Sequence, residues 1–484
     1  MNLINSLLPD KVSDVIKSYI TDFEASDRRK QMIFGEDYYR SRNTAIMDRQ
    51  MLIYAEEEGV PYEMEDPYKA NHKLPAGYMK ILVDQKINYS LGKNLTIEAP
   101  NVEILHKVLG REFQSKLRKI GKEAAKKSVG WGHPYLGTDG TFQVAAIPAE
   151  QVIPIYSTND NTQLEITIRY YKVKLLNKNN EPIISTRVEV WDNQQVTYYQ
   201  QNEEAGAYDL LTEDEMAGIF GKPYTNPKYH FNKDMKHGTT ITKTEGLAWG
   251  IIPFIPLHNN DEGETDLQPI KPFIDAYDIV NSDFVNNLED FQDIYWILKG
   301  YDGSGLSQFL HQVKRYKTLK VSEGGDARAE RIDVPFLARK EAKAGLEQDI
   351  FSFAMGVNPN STGDGNVTNV VIRSRFAALD LKAAGFENEV EDYLFQLMEF
   401  VNKYQELRKG KPIEIEDIIF DRAIIVNEIE LLNANKEQLG SISEDTRLSN
   451  HPWVSDVDGE IKRMAEESEK TVDLDKVIPD EPTE

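Results

Sequence analysis

Residues 267–291 read LQPIKPFIDAYDIVNSDFVNNLEDF, and residues 335–355 read PFLARKEAKAGLEQDIFSFAM. In the first, Ile270, Ile274, Tyr277, Phe284, Leu288 and Phe291 recur mostly at three- and four-residue steps, with Asn281 as the polar member of the stripe. That is the spacing of one helix face. The other faces carry Asp275, Asp278, Asp283, Glu289 and Asp290 against Lys271. The second stretch opens on Pro335, which a first helical turn tolerates because the missing N–H has no partner there anyway. It continues through Ala338, Ala342, Gly345, Leu346, Ile350 and Phe353, and the small residues of its first half would let another helix come close. Gly356-Val357-Asn358-Pro359-Asn360-Ser361-Thr362-Gly363-Asp364-Gly365-Asn366 follows, and its Gly, Pro and Asn content makes it a loop. Two helices with an insert at one end and a loop at the other suggest a wall element, not a catalytic pocket.

Working outward, the insert 293–334 offers a strand at 294–300, a helix at 305–313, and a hairpin of 318–321 with 329–334. A unit of about forty residues is too small to stand alone, so it should pack against copies of itself or a partner. After the loop, Ile372, Phe376, Leu379, Ala383, Phe386, Val390, Leu394, Leu397, Val401 and Tyr404 keep helical phase, predicting a long spine helix with a possible kink at Gly385. Residues 413–420 alternate like a strand, 427–468 read as two or three short helices capped at Ser443, and the acidic tail from Thr471 reads as disordered.

Upstream, 1–30 reads as a polar, peripheral helical segment, and 31–60 as a helix ending in a tyrosine-rich surface before the acidic turn Glu56-Glu57-Glu58-Gly59. Tyr78, Ile81, Leu82, Gln85 and Tyr89 share a helix face that Gly92 should terminate, and 95–98 is a short strand. Residues 101–128 read as one basic amphipathic helix, with Leu105, Leu109, Phe113, Leu117, Ile120 and Ala124 inward. Its Lys107, Arg111, Lys116, Arg118, Lys119, Lys122, Lys126 and Lys127 form either a solvated face or a contact for an acidic partner or DNA. Period-two alternation from 130 to 254, with a hairpin turn at Asp192-Asn193-Gln194, predicts an antiparallel β domain. The segment 258–266, HNNDEGETD, reads as a polar linker. The fold class is therefore α+β.

The chain has 484 residues, 40% hydrophobic and 28% charged, enough for several cores. No apolar run reaches the roughly 18 residues of a membrane span, and the N-terminus lacks the pattern of a signal peptide, so no membrane partner is expected. With no cysteine, disulfides, zinc–thiolate sites and thiol catalysis are excluded. A net charge of −24, from 80 acidic and 56 basic residues, argues against tight DNA binding by the bulk surface, because such binding needs Lys and Arg to replace counterions. An acidic chain can still handle DNA to which it must not stick.

Chemistry-bearing motifs are scarce. The histidines 72, 106, 133, 230, 237, 258, 311 and 451 show no i, i+4 pair and no H-E-x-x-H frame. Gly363-Asp364-Gly365-Asn366 lacks the Gly-Lys-Ser/Thr of a phosphate-binding loop. Asp364, Asn366 and Thr368 begin like a calcium loop, but Asn369 stands where it needs Gly and Arg375 where it needs Glu. No catalytic residue, metal ligand or cofactor site is assigned. The reading left against this one is a metal-dependent nuclease or other packaging enzyme built on the Asp/Glu clusters; a monomeric acidic scaffold is a third.

Several segments resemble signatures of tailed-phage portal proteins of the SPP1-like family. They are Ala70-Asn71-His72-Lys73-Leu74 with 83–93 (VDQKINYSLGK), 287–301 (NLEDFQDIYWILKGY), Gly365-Asn366-Val367-Thr368-Asn369 leading into Leu379-Asp380-Leu381-Lys382-Ala383, and Ile442-Ser443-Glu444-Asp445-Thr446 with Pro452-Trp453-Val454. In order, they cover most of residues 30–465. Many members have Ser-Gly after the loop Asn, where this chain has Val367-Thr368-Asn369.

The resemblance implies a portal-type fold: an N-terminal part and mixed α/β wing (1–267), stem helices at 268–291 and 335–355, and a small α/β clip at 292–334. A tunnel loop (356–371), a spine helix with a wing strand (372–420), a helical crown (421–470) and an acidic tail (471–484) complete it. It further implies a homo-oligomeric, dodecameric ring at the portal vertex of the virion capsid, assembled in the host cytoplasm. Double-stranded DNA would pass through it, and its partners would be the terminase large subunit, the head–tail adaptor, and the major capsid and scaffolding proteins. DNA would face Asn358, Asn360, Ser361, Thr362, Gly363, Asp364, Gly365, Asn366, Thr368 and Asn369 of the tunnel loop. The clip would make its contacts through Trp296, Lys299, Tyr301, Lys314, Arg315, Lys317 and Lys320. Asp275, Asp278, Asp283, Glu289 and Asp290, repeated around a ring, would repel phosphates and let DNA slide, unless they merely solubilise an outer face.

Overall fold

The computed structural model describes residues 9–475, apart from 58–59, 67–68, 158–162, 177–180, 203–205, 222–223, 238–239, 291–294, 300–325, 331–335, 362–367, 423–427, 450, 452 and 455. Two compact units emerge, Met1–Gly356 with Leu381–Arg422, and Val357–Asp380 with Ala423–Glu484.

The larger unit opens with helices α1 (Pro9–Ala25), α2 (Asp27–Tyr39) and α3 (Thr44–Met47). The hairpin β1 (Leu52–Glu57) and β2 (Val60–Glu65) follows, then α4 (Tyr78–Leu91), β3 (Thr96–Glu98), α5 (Val102–Leu109) and α6 (Phe113–Lys127). The period-two region folds as antiparallel β. Strands β4 (Val129–Leu136) and β5 (Phe142–Ile147) pair with each other, and β6 (Val152–Tyr156), β7 (Leu164–Leu176), β8 (Pro182–Trp191), β9 (Gln195–Gln201) and β10 (Tyr208–Leu210) form a meander. The Asp192 turn is as expected: its carboxylate accepts from the Gln194 and Gln195 amides, both at 2.7 Å, and closes the β8–β9 hairpin.

Helix α7 (Glu213–Phe220) precedes β11 (Lys228–Tyr229), which pairs with β9, and the hairpin β12 (Phe231–His237) and β13 (Thr240–Leu247). Strand β14 (Ile255–His258) adds to β4 and leads to α8 (Lys271–Asp290). Strands β15 (Tyr295–Lys299) and β16 (Asp326–Glu330) then pair antiparallel, so the insert's described sheet joins its two ends. Helix α9 (Phe336–Phe353) returns along α8. Helix α10 (Asn369–Leu407) runs 39 residues, helical through Gly385, and β17 (Asp417–Ile419) closes on β3. The smaller unit holds the start of α10 with α11 (Glu428–Glu437), α12 (Glu444–Ser449) and α13 (Val457–Asp475).

Several expectations are corrected. Helix α1 is not peripheral: Val12, Ile16 and Ile20 are buried against Ile153, Ile166, Ile168 and Val188 of the meander, where its apolar stripe closes one sheet face. Helix α2 does not end in a tyrosine surface, since Tyr38 is fully buried. On α4, Tyr78, Leu82 and Tyr89 are buried, but Ile81 is exposed and Met79, Val83 and Ile87 are buried in its place. The single basic helix 101–128 breaks between α5 and α6 at Gly110, whose φ of 76° is a conformation that favours glycine. The apolar spacing Leu105–Leu109–Phe113–Leu117 keeps its phase across the break and hides it. Helix α13 runs beyond the point where the tail was expected to lose order, and 476–484 lie outside the described residues.

Candidate functional site

Helix α8 is the centre of the site. Ile270, Ile274 and Tyr277 at i, i+4 and i+7 are buried in the main core with Ile350 and Phe351 of α9. The two helices lie antiparallel: Phe273 stacks on Phe353 at 4.9 Å between centroids, Phe284 meets Phe336 at 5.6 Å, and Lys343 Nζ donates to Asn281 Oδ1 at 2.7 Å. A Cβ built on Gly345 of α9 meets nothing within 4 Å, so α8 does not approach closely at that residue. At its end, α9 closes with Met355 at φ 55° and Gly356 pressed on Leu82, whose Cδ2 would lie 2.4 Å from a Cβ at that position.

From Asp278 onward another face of α8 is held by polar groups. The segment 72–76 runs alongside, and its alternate backbone amides donate to side chains spaced by four. Ala76 N donates to Asp278 Oδ1 at 2.8 Å, Leu74 N to Ser282 Oγ at 3.1 Å, and His72 N to Asn286 Oδ1 at 2.7 Å. Two residues of extended chain advance about 6.6 Å and four helical residues about 6 Å, so the two periods match over three contacts. A second segment grips the same helix: Asn43 Nδ2 donates to Asp278 Oδ2 at 2.5 Å, and Arg49 engages Asp283 through both guanidinium nitrogens at 2.8 and 3.2 Å.

The expected stem carboxylates are thus mostly engaged within the chain. Asp275 accepts from the Tyr38 hydroxyl and from Lys271 Nζ at 2.8 Å. Asp278 is fully buried, and burial pushes its carboxyl up to about 6, against the hydrogen bonds from Asn43 and the Ala76 amide. Asp283 is bound by Arg49, and Glu289 pairs with His72. Asp278 has no exposed surface, and Asp275 and Asp283 are ion-paired within the chain. Asp290 is the last residue of α8.

In the expected tunnel loop, Asn358 Oδ1 accepts from Asn360 N at 2.9 Å around a short 3-10 turn, Pro359–Ser361. Thr362, Gly363, Asp364, Gly365 and Asn366 lie outside the described residues. Thr368 is exposed and its carbonyl accepts from Ile372 N at 3.1 Å, while Asn369 already begins α10 and its amide donates to Glu430 at 2.6 Å. Of the clip residues, Trp296 and Lys299 stand on β15, and Tyr301, Lys314, Arg315, Lys317 and Lys320 lie outside the described residues.

Two buried ionic clusters were missed at the sequence level. The segment 258–266 is no mere linker: Asn259 and Asp266 are buried and close around Lys86 of α4. Lys86 Nζ lies 2.7 Å from Asn259 Oδ1 and 3.4 Å from Asp266, and Lys382 of α10 reaches Asp266 at 3.2 Å and the Ala354 carbonyl at 3.0 Å. Burial lowers Lys86 to about 8 despite Asp266, while Lys382 and Lys86 overcome burial and hold Asp266 at about 2. Lys126 and Lys127, expected on a solvated or binding face, are buried with Glu36, Glu123 and Glu150 at 2.6 to 2.8 Å. Lys126 and Lys127 bring Glu36 down to about 2 against its burial. Among the described residues no group of His, Asp and Glu is placed to hold a metal ion, and no helix is long and apolar enough to cross a membrane.

The family described as "Phage portal protein, SPP1 Gp6-like" matches residues 21–473. The portal protein of Bacillus phage SPP1 is 25% identical over 453 residues, 92% of this chain and 84% of that protein. The portal protein of Clostridium phage phiCD119 is 26% identical over 472 residues, 94% of this chain and 95% of that one. A chain of the "Neck of native GTA particle computed with C12 symmetry" aligns over 78% of this chain and 89% of its own length, at 11% identity and a TM-score of 0.34, a likeness too low to carry an argument. Mixed helices and antiparallel sheets under that family match define the class as phage portal proteins. The chain belongs to the SPP1 Gp6-like family within it.

Proposed function

We propose that this chain assembles into a ring-shaped DNA conduit at one vertex of the phage capsid, with no catalysis of its own. In this reading the ring docks the terminase for packaging, meets the head–tail adaptor afterwards, and passes DNA during ejection. The observation that carries it is the family match across 21–473, joined to the antiparallel pair α8 and α9 flanking the 291–335 insert. Helices α8 and α9 are assigned as stem, the insert with β15 and β16 as clip, 356–368 as tunnel loop, α10 as spine, and α11 to α13 as crown.

Native mass measurement of the purified protein tests this. A single closed species of about twelve subunits is expected, in line with closed rotational symmetry; a strict monomer under all salt conditions contradicts it. A divalent-metal cleavage assay addresses the nuclease alternative, and metal-dependent cutting of duplex DNA would overturn the non-enzymatic reading. Shortening Gly363–Gly365 should leave rings intact and lower packaging; normal packaging would remove the loop's assigned role.

A further inference from the structure

The β1–β2 hairpin falls in the wing, and the conduit reading gives it no contact of its own. Between Arg49 and Lys69 the chain carries Glu56, Glu57, Glu58, Glu63, Glu65 and Asp66, and no cation. On β2 the successive residues Tyr62, Glu63, Met64 and Glu65 are all exposed, Tyr62 at 43%. Successive strand residues point to opposite faces, so both faces of β2 are exposed at residues 62–65. A lone two-stranded hairpin is marginal in water, so this one calls for a covering surface.

Its mounting is specific. The chain entering it is tied to α8 by Arg49–Asp283, the chain leaving it by His72–Asn286, and Asp66 N donates to Met51 O at 2.7 Å across its base. Those ties use the Asp283–Asn286 side of α8. Helix α9 packs on a nearly opposite side, through Asn281 and Phe284. The start of α9 is apolar and cationic: Phe336 and Leu337 are 54% and 71% exposed, Lys340 is exposed, and Arg339 Nη1 is buried without a hydrogen-bond partner among the described residues. Residues 336–345 hold Arg339, Lys340 and Lys343 against Glu341.

We propose that the exposed strand segment Tyr62–Glu65 of one copy docks on the Phe336–Lys340 start of α9 in the next copy. One chain thus carries, on two different sides of the same helix pair, an anionic apolar arm and a cationic apolar seat. Two unlike surfaces that fit each other make a head-to-tail contact, which closes into a ring when the rotation allows. The complementary charges select this register over others. The proposal rests on the ring reading and adds where neighbouring copies meet.

The test uses the full chain. Glu63→Lys with Glu65→Lys, and separately Arg339→Glu with Lys340→Glu, should each raise the concentration for half-assembly by about tenfold at low salt, and less at high salt. Combining all four should restore assembly, which a variant that merely misfolds would not do. Because the chain has no cysteine, Glu63→Cys with Leu337→Cys should give an intermolecular disulfide ladder on oxidation. Charge-reversal variants that form rings as readily as the wild type, with no ladder from the cysteine pair, would overturn the contact alone. A wild type that never assembles would overturn the ring reading and the contact with it.

Discussion

Between Ile270 and Tyr277, α8 is gripped by buried hydrocarbon; from Asp278 to Glu289 it is gripped by hydrogen bonds and ion pairs from residues 202 to 235 positions earlier. The first grip is mainly apolar, joined by the Tyr38 hydroxyl and the Lys271 ammonium on Asp275. The second is made of single contacts, each worth about 1 kcal/mol net, that break independently. The same helix is therefore anchored mainly by packing at one end and by polar contacts at the other, and the polar end is the one that leads into the proposed clip.

The difference can be broken from either side. The largest effect should come from Asp266→Ala just upstream of α8, which strands the buried Lys86: a loss of about 3–5 kcal/mol in denaturant unfolding. Ile274→Ala should cost about 3 kcal/mol through its cavity, with no dependence on pH. Asp278 works the other way. Its raised carboxyl means that the folded state holds the proton more tightly than the unfolded chain does, so stability is fullest below about pH 4 and is lost as pH rises through about 6. Asp278→Asn should flatten that slope, because the amide does not titrate, while its NH2 group meets the Asn43 Nδ2 donor in place of the carboxylate oxygen. Smallest is Ser282→Ala, at about 1 kcal/mol, from leaving the Leu74 amide unpaired.

The comparison also explains what could be read in advance. The anchored half was legible, because Ile270, Ile274 and Tyr277 announce a helix face by spacing alone, as the period-two strands did. The four-residue spacing of Asp278, Ser282 and Asn286 was present too, but its meaning depends on a segment more than 200 residues away. Lys86 illustrates the limit: it lies among apolar neighbours on α4, and its partners Asn259 and Asp266 are 173 and 180 positions off. Lys126 and Lys127 read as surface charge because nothing local marks a lysine whose counter-ions come from α2 and from Glu150. Glycine at 110 was visible, but an apolar phase that continues across a helix break carries no sign of the break.

The most direct measurement is residue-resolved hydrogen exchange on the intact protein, comparing the amides of Ile274–Asp278 with those of Leu74, Ala76 and residues 282–289. The account predicts strong protection in the first set and faster exchange in the second, with Ser282→Ala accelerating Leu74 and leaving residues 274–278 unchanged. Equal protection along the whole of α8, or a Ser282→Ala effect that spreads to Ile274, would contradict it.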